Sequence, residues 1–164
     1  MEILTKQQID ELWNKIDKKL SRVAISAREK LPYTTIDGVY DDHSHEGADG
    51  VDWWTNGFWA GMMWLMYAGT KNEEYKITAR RSEELLDKAL LAPQKLYHDV
   101  GFMWQLSSSA DYQLTKNQKS FERSLAAANT LAGRYNVKGG YIRAWNGNGN
   151  EGSAIIDCMM NLPI

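Results

Sequence analysis

Two aspartates stand where their surroundings disfavour a charge. Asp99, in "LYHDVGFMWQL", sits directly before an apolar, uncharged run, and Asp157 is the single charge in "AIIDCMMNLP". Ionised carboxylates are almost never fully buried without a partner, so each needs a reason. Asp99 can cap the helix that follows it. Asp157 falls one turn after Ser153, which reads as an N-cap, and is flanked by Ile155, Ile156, Cys158 and Met159. A core aspartate bonded to a neighbouring Trp or Tyr is one explanation for it. The chemical alternative has both carboxyls facing a cavity. Apolar neighbours and a second carboxylate disfavour the charged form of Asp157, while a helix N-terminus opposes them with about half a unit charge. A proton donor at neutral pH requires that desolvation win at Asp157.

Paired carboxyls in unlike environments divide into acid and stabiliser, the pattern of glycoside hydrolases. Aromatic side chains accompany them: the chain has seven Trp and eight Tyr, an excess that either lines a pocket or fills a core. Trp54 and Phe58 are four apart on one helix face, placed to meet a ligand or to pack. Trp145 lies in a Gly/Asn-rich loop with little reason to be buried, and reads as a ligand platform. His98 can hold a ligand, tune Asp99, or be structural. His43 and His45 lie in what reads as a flexible polar loop, and no metal site is expected there. No phosphate-binding loop, dinucleotide fingerprint or nucleophile elbow is present.

The elements that must position these residues read as helices, with no convincing strand pair. Thr5 and Gln8 form a capping box and open a helix over about 5–29, with Ile9, Leu12, Trp13, Ile16 and Leu20 as its stripe. Residues 54–68 carry no charge and are apolar all round, the mark of a buried helix. The next helix is amphipathic, with Leu85, Leu86 and Ala89 inward. Residues 100–110 begin another buried helix. Phe121, Leu125, Ala128, Ala132 and Tyr135 trace the inward stripe of a second amphipathic one, and 153–164 start a third buried segment. An internal echo runs through this alternation: Gly57-Phe58 returns as Gly101-Phe102, and Thr70-Lys71-Asn72 as Thr115-Lys116-Asn117. A repeat of that length pairing a buried with an exposed helix describes helical hairpins. Strict alternation describes two concentric layers, an all-α toroid. About three hairpins are present, so residues 1–164 are expected to be the N-terminal portion of one such domain.

Nineteen Lys and Arg balance 21 Asp and Glu, giving no electrostatic case for nucleic acid or an anionic membrane. One cysteine excludes an internal disulfide, and no run reaches the ~20 apolar residues of a membrane span. A cytoplasmic protein is expected.

Several blocks, in order, carry a resemblance: "WTNGFWAGMMWLMY", "HDVGFMWQLSSSADYQLT", "LAAANTLAGRYN", "IRAWN" and "IIDCMMNLP". Over roughly residues 50–164 the chain resembles the N-terminal half of the unsaturated glucuronyl hydrolases, glycoside hydrolase family 88. The related unsaturated rhamnogalacturonyl hydrolases share the fold, but the "HDVGF" block looks more like the glucuronyl group. The resemblance implies an α/α six-hairpin barrel and release of a terminal 4,5-unsaturated uronic acid from lyase-generated oligosaccharides by hydration of a vinyl ether. It implies that Asp157 is the general acid/base, that Asp99 is the second essential carboxylate, and that Trp54, Phe58, His98 and Trp145 line the sugar site. No metal or organic cofactor is implied. The groups that would meet the substrate carboxylate belong to the family's second half; here Arg143 is the basic residue near Trp145. A non-catalytic helical-repeat module and an inactive sugar-binding fragment are the alternatives.

Overall fold

The computed structural model describes residues 4–47 and 49–164. Helix α1 (Lys6–Ser26) starts at the expected capping box: Thr5 accepts from the Gln8 amide while the Gln8 side chain accepts from the Thr5 amide. Four further helices are α2 (Asn56–Thr70), α3 (Glu73–Leu90), α4 (Val100–Trp104) and α5 (Ala110–Thr115), and α6 spans Gln118–Ala132. A π-helical turn, Gln105–Ser109, joins α4 to α5 without a break, and a 3-10 turn spans Ile156–Asn161. Two antiparallel hairpins that the apolar pattern did not announce complete the fold: β1 (Thr35–Ile36) with β2 (Val39–Tyr40), and β3 (Tyr135–Asn136) with β4 (Tyr141–Ile142). With two residues per strand, none is long enough to show a period-2 pattern.

The helices form two rows. The outer row is α1, α3 and α6, each touching the next; the inner row is α2, α4–α5 and the 3-10 turn. One apolar cluster joins Ala24, Trp59, Met63, Trp64 and Tyr75 between α1, α2 and α3. A second joins Leu86, Val100, Met103, Trp104, Ala127 and Leu131 between α3, α4 and α6. Among the described residues no helix is long and apolar enough to cross a membrane.

Both sequence echoes have a structural cause. Thr70 and Thr115 each end an inner helix; Lys71 and Lys116 follow in the left-handed conformation, at φ +60° and +63°. Asn72 and Asn117 then cap the next outer helix, each side chain accepting from the amide two residues on. Lys71 and Lys116 also lie over the rings of Tyr67 and Tyr112. The triplet is therefore one inner-to-outer turn used twice. The glycine echo marks close approach: a Cβ on Gly57 would lie 2.3 Å from the Met103 carbonyl oxygen, and one on Gly101 would lie 2.3 Å from that of Asn161. Each glycine lets one inner element touch the backbone of the next. Gly101→Ala forces that backbone contact apart, at an expected cost of about 1–3 kcal/mol, read as a fall in Tm. Because Asn161 belongs to the turn that carries Asp157, that turn should be displaced with it.

Three expectations need correction. Helix α2 is not buried all round: Trp59, Met63 and Trp64 are packed, but Phe58, Met62 and Leu65 are exposed, Leu65 by 70%. The inward stripe of α6 is Ser120, Arg123, Ala127 and Leu131, not Phe121 and Leu125, which face out. Ser153 does not cap a helix; the third segment begins as the 3-10 turn after Ile155.

The reason for the α6 inversion is a polar network sealed between α2, α3, the π-turn and α6. Glu83, fully buried, accepts from Trp64 Nε1 and Ser108 Oγ and also meets Ser120 Oγ. Asp111, also fully buried, accepts from Arg80, Thr115, Asn117 and Ser120. Arg123 forks onto Asp87 at 2.6 and 2.7 Å. Ser120 Oγ lies 2.7 Å from Glu83 and 2.9 Å from Asp111. One hydroxyl has one proton to give, so a proton on Glu83 satisfies both contacts. Burial, with the Asp111 charge adding to it, pushes the Glu83 carboxyl up to about 7 against the Ser120 and Ser108 bonds.

This sets a sign. A carboxyl raised in the fold contributes stability that is fully present below its ordinary value and lost as pH rises through the raised one. Stability due to Glu83 should decline between pH 4.5 and about 7, by roughly 3 kcal/mol. Glu83→Gln keeps the neutral shape and should abolish that decline, making the variant at least as stable as the parent at pH 8 in urea titrations. An unchanged pH dependence would show that Glu83 is ionised in the fold.

Candidate active site

The first half of the site precedes α4. His98 is buried, and both its backbone N–H and its Nδ1 meet the Ala144 carbonyl, at 3.2 and 2.9 Å. A carbonyl only accepts, so Nδ1 carries a hydrogen and Nε2 is turned the other way. Asp99 occupies the N-cap position of α4, yet its side chain makes no capping bond, which removes the capping explanation. Its Oδ1 lies 3.1 Å from His98 Nε2.

The second half is the 3-10 turn. Asp157 Oδ2 lies 3.0 Å from the same His98 Nε2. Asn161, fully buried, places this turn: its Oδ1 accepts from the Phe102 amide at 2.7 Å, and its Nδ2 donates to the Asp157 carbonyl at 3.0 Å. The side chain thus ties the turn to the start of α4. Composition gave no reason to single out Asn161; the available signal was its spacing, four residues after Asp157.

Nε2 therefore faces two carboxylate oxygens. A lone pair there would be repelled by both, so the cluster must hold a proton, either on Nε2 or on one carboxyl. The more desolvated acid is not the expected one. The Asp99 side chain is 16% exposed and that of Asp157 is 42%. Burial pushes the Asp99 carboxyl up, with the Asp157 charge adding and the His98 and Arg134 charges opposing. The expectation that apolar sequence neighbours cover Asp157 is thus corrected: Ile156 and Met159 are solvent-exposed, although Oδ1 of Asp157 is itself buried without a hydrogen-bond partner. The three candidate ligand atoms of His98, Asp99 and Asp157 lie within 4.8 Å of one another, a span a cation could bridge. The His98–Asp157 contact also has the geometry of a hydrogen bond, whereas Asp99 lies within ion-pair distance of the same nitrogen. His43 pairs with Asp41 at 3.3 Å.

A cleft of about 520 Å³ opens over this cluster, and Trp54, His98, Asp99, Trp145 and Asp157 all line it. Five of the six residues singled out in the sequence thus meet on one wall. The sixth, Phe58, is not part of it: Phe58 stands edge-on to Trp54, 5.7 Å between ring centroids, and with Phe102 backs that indole. Trp145 stands edge-to-face with His98 at 6.1 Å. Missed in the sequence were Asp49, Asp52, Trp53 and Tyr97, which complete the wall. Both aspartates sit in a stretch that reads as an ordinary polar loop. Four carboxylates and no Lys or Arg line the cleft among the described residues. The arrangement offers a movable proton, a second carboxyl to steady positive charge, and two indoles to hold a ring.

No protein-family model matches the chain. Among curated relatives, an unsaturated chondroitin disaccharide hydrolase from Streptococcus pneumoniae is 31% identical over 99% of this chain and 40% of its own length. An unsaturated glucuronyl hydrolase from Bacillus sp. strain GL1 is 38% identical over 71% of this chain and 32% of its own length. The crystal structure of an unsaturated glucuronyl hydrolase from Streptococcus agalactiae superposes with a TM-score of 0.76 at 30% identity, over 98% of this chain and 40% of that one. The helical rows described above match part of that fold. The chain spans about 40% of the length of the first of these relatives.

Proposed function

Because the chain belongs to the unsaturated glucuronyl hydrolase family, spanning about 40% of a relative's length, we propose that it forms the N-terminal portion of a single α/α-barrel domain that releases a terminal 4,5-unsaturated uronic acid from lyase-generated oligosaccharides. The observation that carries this reading is the contact of His98 Nε2 with both Asp157 and Asp99, at 3.0 and 3.1 Å, under an aromatic cleft.

The substrate's double bond joins C4 to C5, and C5 also bears the ring oxygen. A proton delivered to C4 leaves positive charge at C5, which the ring oxygen shares. Water adds at C5, and the resulting hemiketal opens and expels the remaining sugar. Asp157, the more exposed acid, delivers the proton and then takes one from water. Asp99 steadies the cation. His98 touches both and lets the proton settle where each step needs it. Trp54 and Trp145 hold the ring between them. The uronate carboxylate finds no cation on the described wall, so its partner belongs to the remaining length of the family fold. A cytoplasmic site of action is part of this reading.

The relatives' names make unsaturated chondroitin disaccharides the first substrates to try. The test incubates this chain, and a longer protein containing it, with such a disaccharide and follows loss of the ultraviolet absorbance of the conjugated double bond. Turnover by the longer protein is expected. No loss with chondroitin-, heparin- or gellan-derived substrates would overturn the reading.

A further inference from the structure

Arg134 follows α6 and lies outside every motif assigned a chemical role above. Its guanidinium is half-buried but makes no ion pair among the described residues, unlike Arg80 on Asp111 or Arg123 on Asp87. All its bonds go to neutral acceptors: Nε donates to the Arg143 carbonyl at 2.8 Å, and one terminal nitrogen donates to the Leu96 carbonyl at 2.8 Å and to Asn146 Oδ1 at 3.0 Å. The other donates to the Ala144 carbonyl at 3.0 Å. Leu96 is two residues before His98, and Ala144 is one before Trp145.

The last acceptor matters most. The Ala144 carbonyl also receives the His98 amide and His98 Nδ1. The same oxygen that sets the His98 tautomer is therefore fixed by Arg134. A carbonyl held by a charged fork cannot turn away from the imidazole, and a flexible lysine does not reproduce a planar fork.

Resting on the function proposed above, we propose that Arg134 is a positioning residue of the catalytic cluster: it clamps the segments carrying His98 and Trp145 and fixes the Ala144 carbonyl, so that His98 keeps its hydrogen on Nδ1 and presents Nε2 to Asp157 and Asp99. A residue that merely holds the fold would change stability and leave the imidazole as it is. A positioning residue also changes the ring. Its charge acts in addition at Asp99, where it opposes desolvation. The other charged groups facing Asp99 are His98 and Asp157, with Asp49 and Asp52 on the same cleft wall; the three aspartates are left in place by substituting Arg134.

The test uses Arg134→Gln and Arg134→Lys in the full-length protein. The ring ¹⁵N shifts of His98, assigned by comparison with His98→Gln, are followed against pH, alongside circular dichroism and kinetics on an unsaturated disaccharide. In the parent, His98 should show Nδ1 protonated throughout. In Arg134→Gln, with unchanged circular dichroism, His98 should become a tautomer mixture. Its kcat should fall by about 10²-fold with KM within about twofold, and the acid limb of its pH profile should move to higher pH. Arg134→Lys should restore the acid limb, which needs only charge, but not the tautomer. Unchanged His98 shifts in a folded Arg134→Gln would overturn the proposal, as would loss of the fold in both variants, which would make Arg134 a scaffold residue. Absence of turnover by the parent would sink the function reading instead, leaving the imidazole shifts to judge Arg134.

Discussion

Asp157→Asn is expected to lower kcat on an unsaturated disaccharide by about 10³-fold or more, within the range of lost general acid–base catalysis, while Tm moves little. The asparagine fits the same space. Its amide can donate to His98 Nε2, so the 3.0 Å contact survives and the Asn161 tie, which uses the backbone carbonyl of residue 157, is untouched. What disappears is an oxygen that can release a proton. Asp99→Asn should be comparably damaging for a different reason: the charge that meets the cation is gone. Because burial raises the Asp99 carboxyl, the parent should lose activity as pH falls through a value above the ordinary aspartate range, and Asp99→Asn should lack that limb. Variants retaining more than a tenth of the parent's rate would remove these acids from the chemistry.

The largest loss of stability by substitution is expected at Asp111. Asp111→Ala leaves Arg80 without its carboxylate and strands Thr115, Asn117 and Ser120. Breaking a fully buried pair on one side costs about 3–5 kcal/mol; with the Arg80 side chain 38% exposed the cost here is expected nearer about 2–3 kcal/mol, mostly from the stranded polar groups, still a large share of the ~5–15 kcal/mol that holds a typical domain. The loss is readable as a shift of the urea midpoint. Burial alone would raise the Asp111 carboxyl, but Arg80, Thr115, Asn117 and Ser120 together hold it below its ordinary value. Its contribution is therefore present above pH 3.8 and lost as pH falls through the depressed value. Glu83 runs the other way. Two acids sharing one serine thus pull stability in opposite directions, and the parent should be most stable in mildly acidic solution. Equal midpoints for Asp111→Ala and the parent would mean that solvent or rearranged side chains replace these bonds.

The meeting of Asp99 and Asp157 at His98 was legible because each aspartate broke an apolar run, and a charge in such a place needs a cause. The alternation of inner and outer helices was legible from charge distribution along α2 and α3. The stripe of α6 was misread because periodicity counts apolar residues, and this helix turns Ser120 and Arg123 inward to meet buried acids donated by α3 and α5. Nothing local marks Glu83 as buried; it sits in a charged amphipathic helix, and its partners are 19 to 37 residues away. Desolvation at Asp157 was overestimated for a related reason: apolar neighbours in sequence are not neighbours in space when a 3-10 turn fans them outward. Asp49 and Asp52 were missed because loops reach a cleft by tertiary folding alone.

The twice-used Thr-Lys-Asn turn separates two kinds of mutational tolerance. Those reversals sit at the C-terminal ends of α2 and α5, whereas Trp54, His98, Asp99 and Asp157 gather where the inner elements begin. One rim of the layer is thus given to chain geometry and the opposite rim to the cleft proposed to hold substrate. Glycine at Lys71 or Lys116, which suits the left-handed backbone there, can be chosen for robustness alone. A lineage diversifying its substrates would leave that rim almost untouched and accumulate its changes on the other.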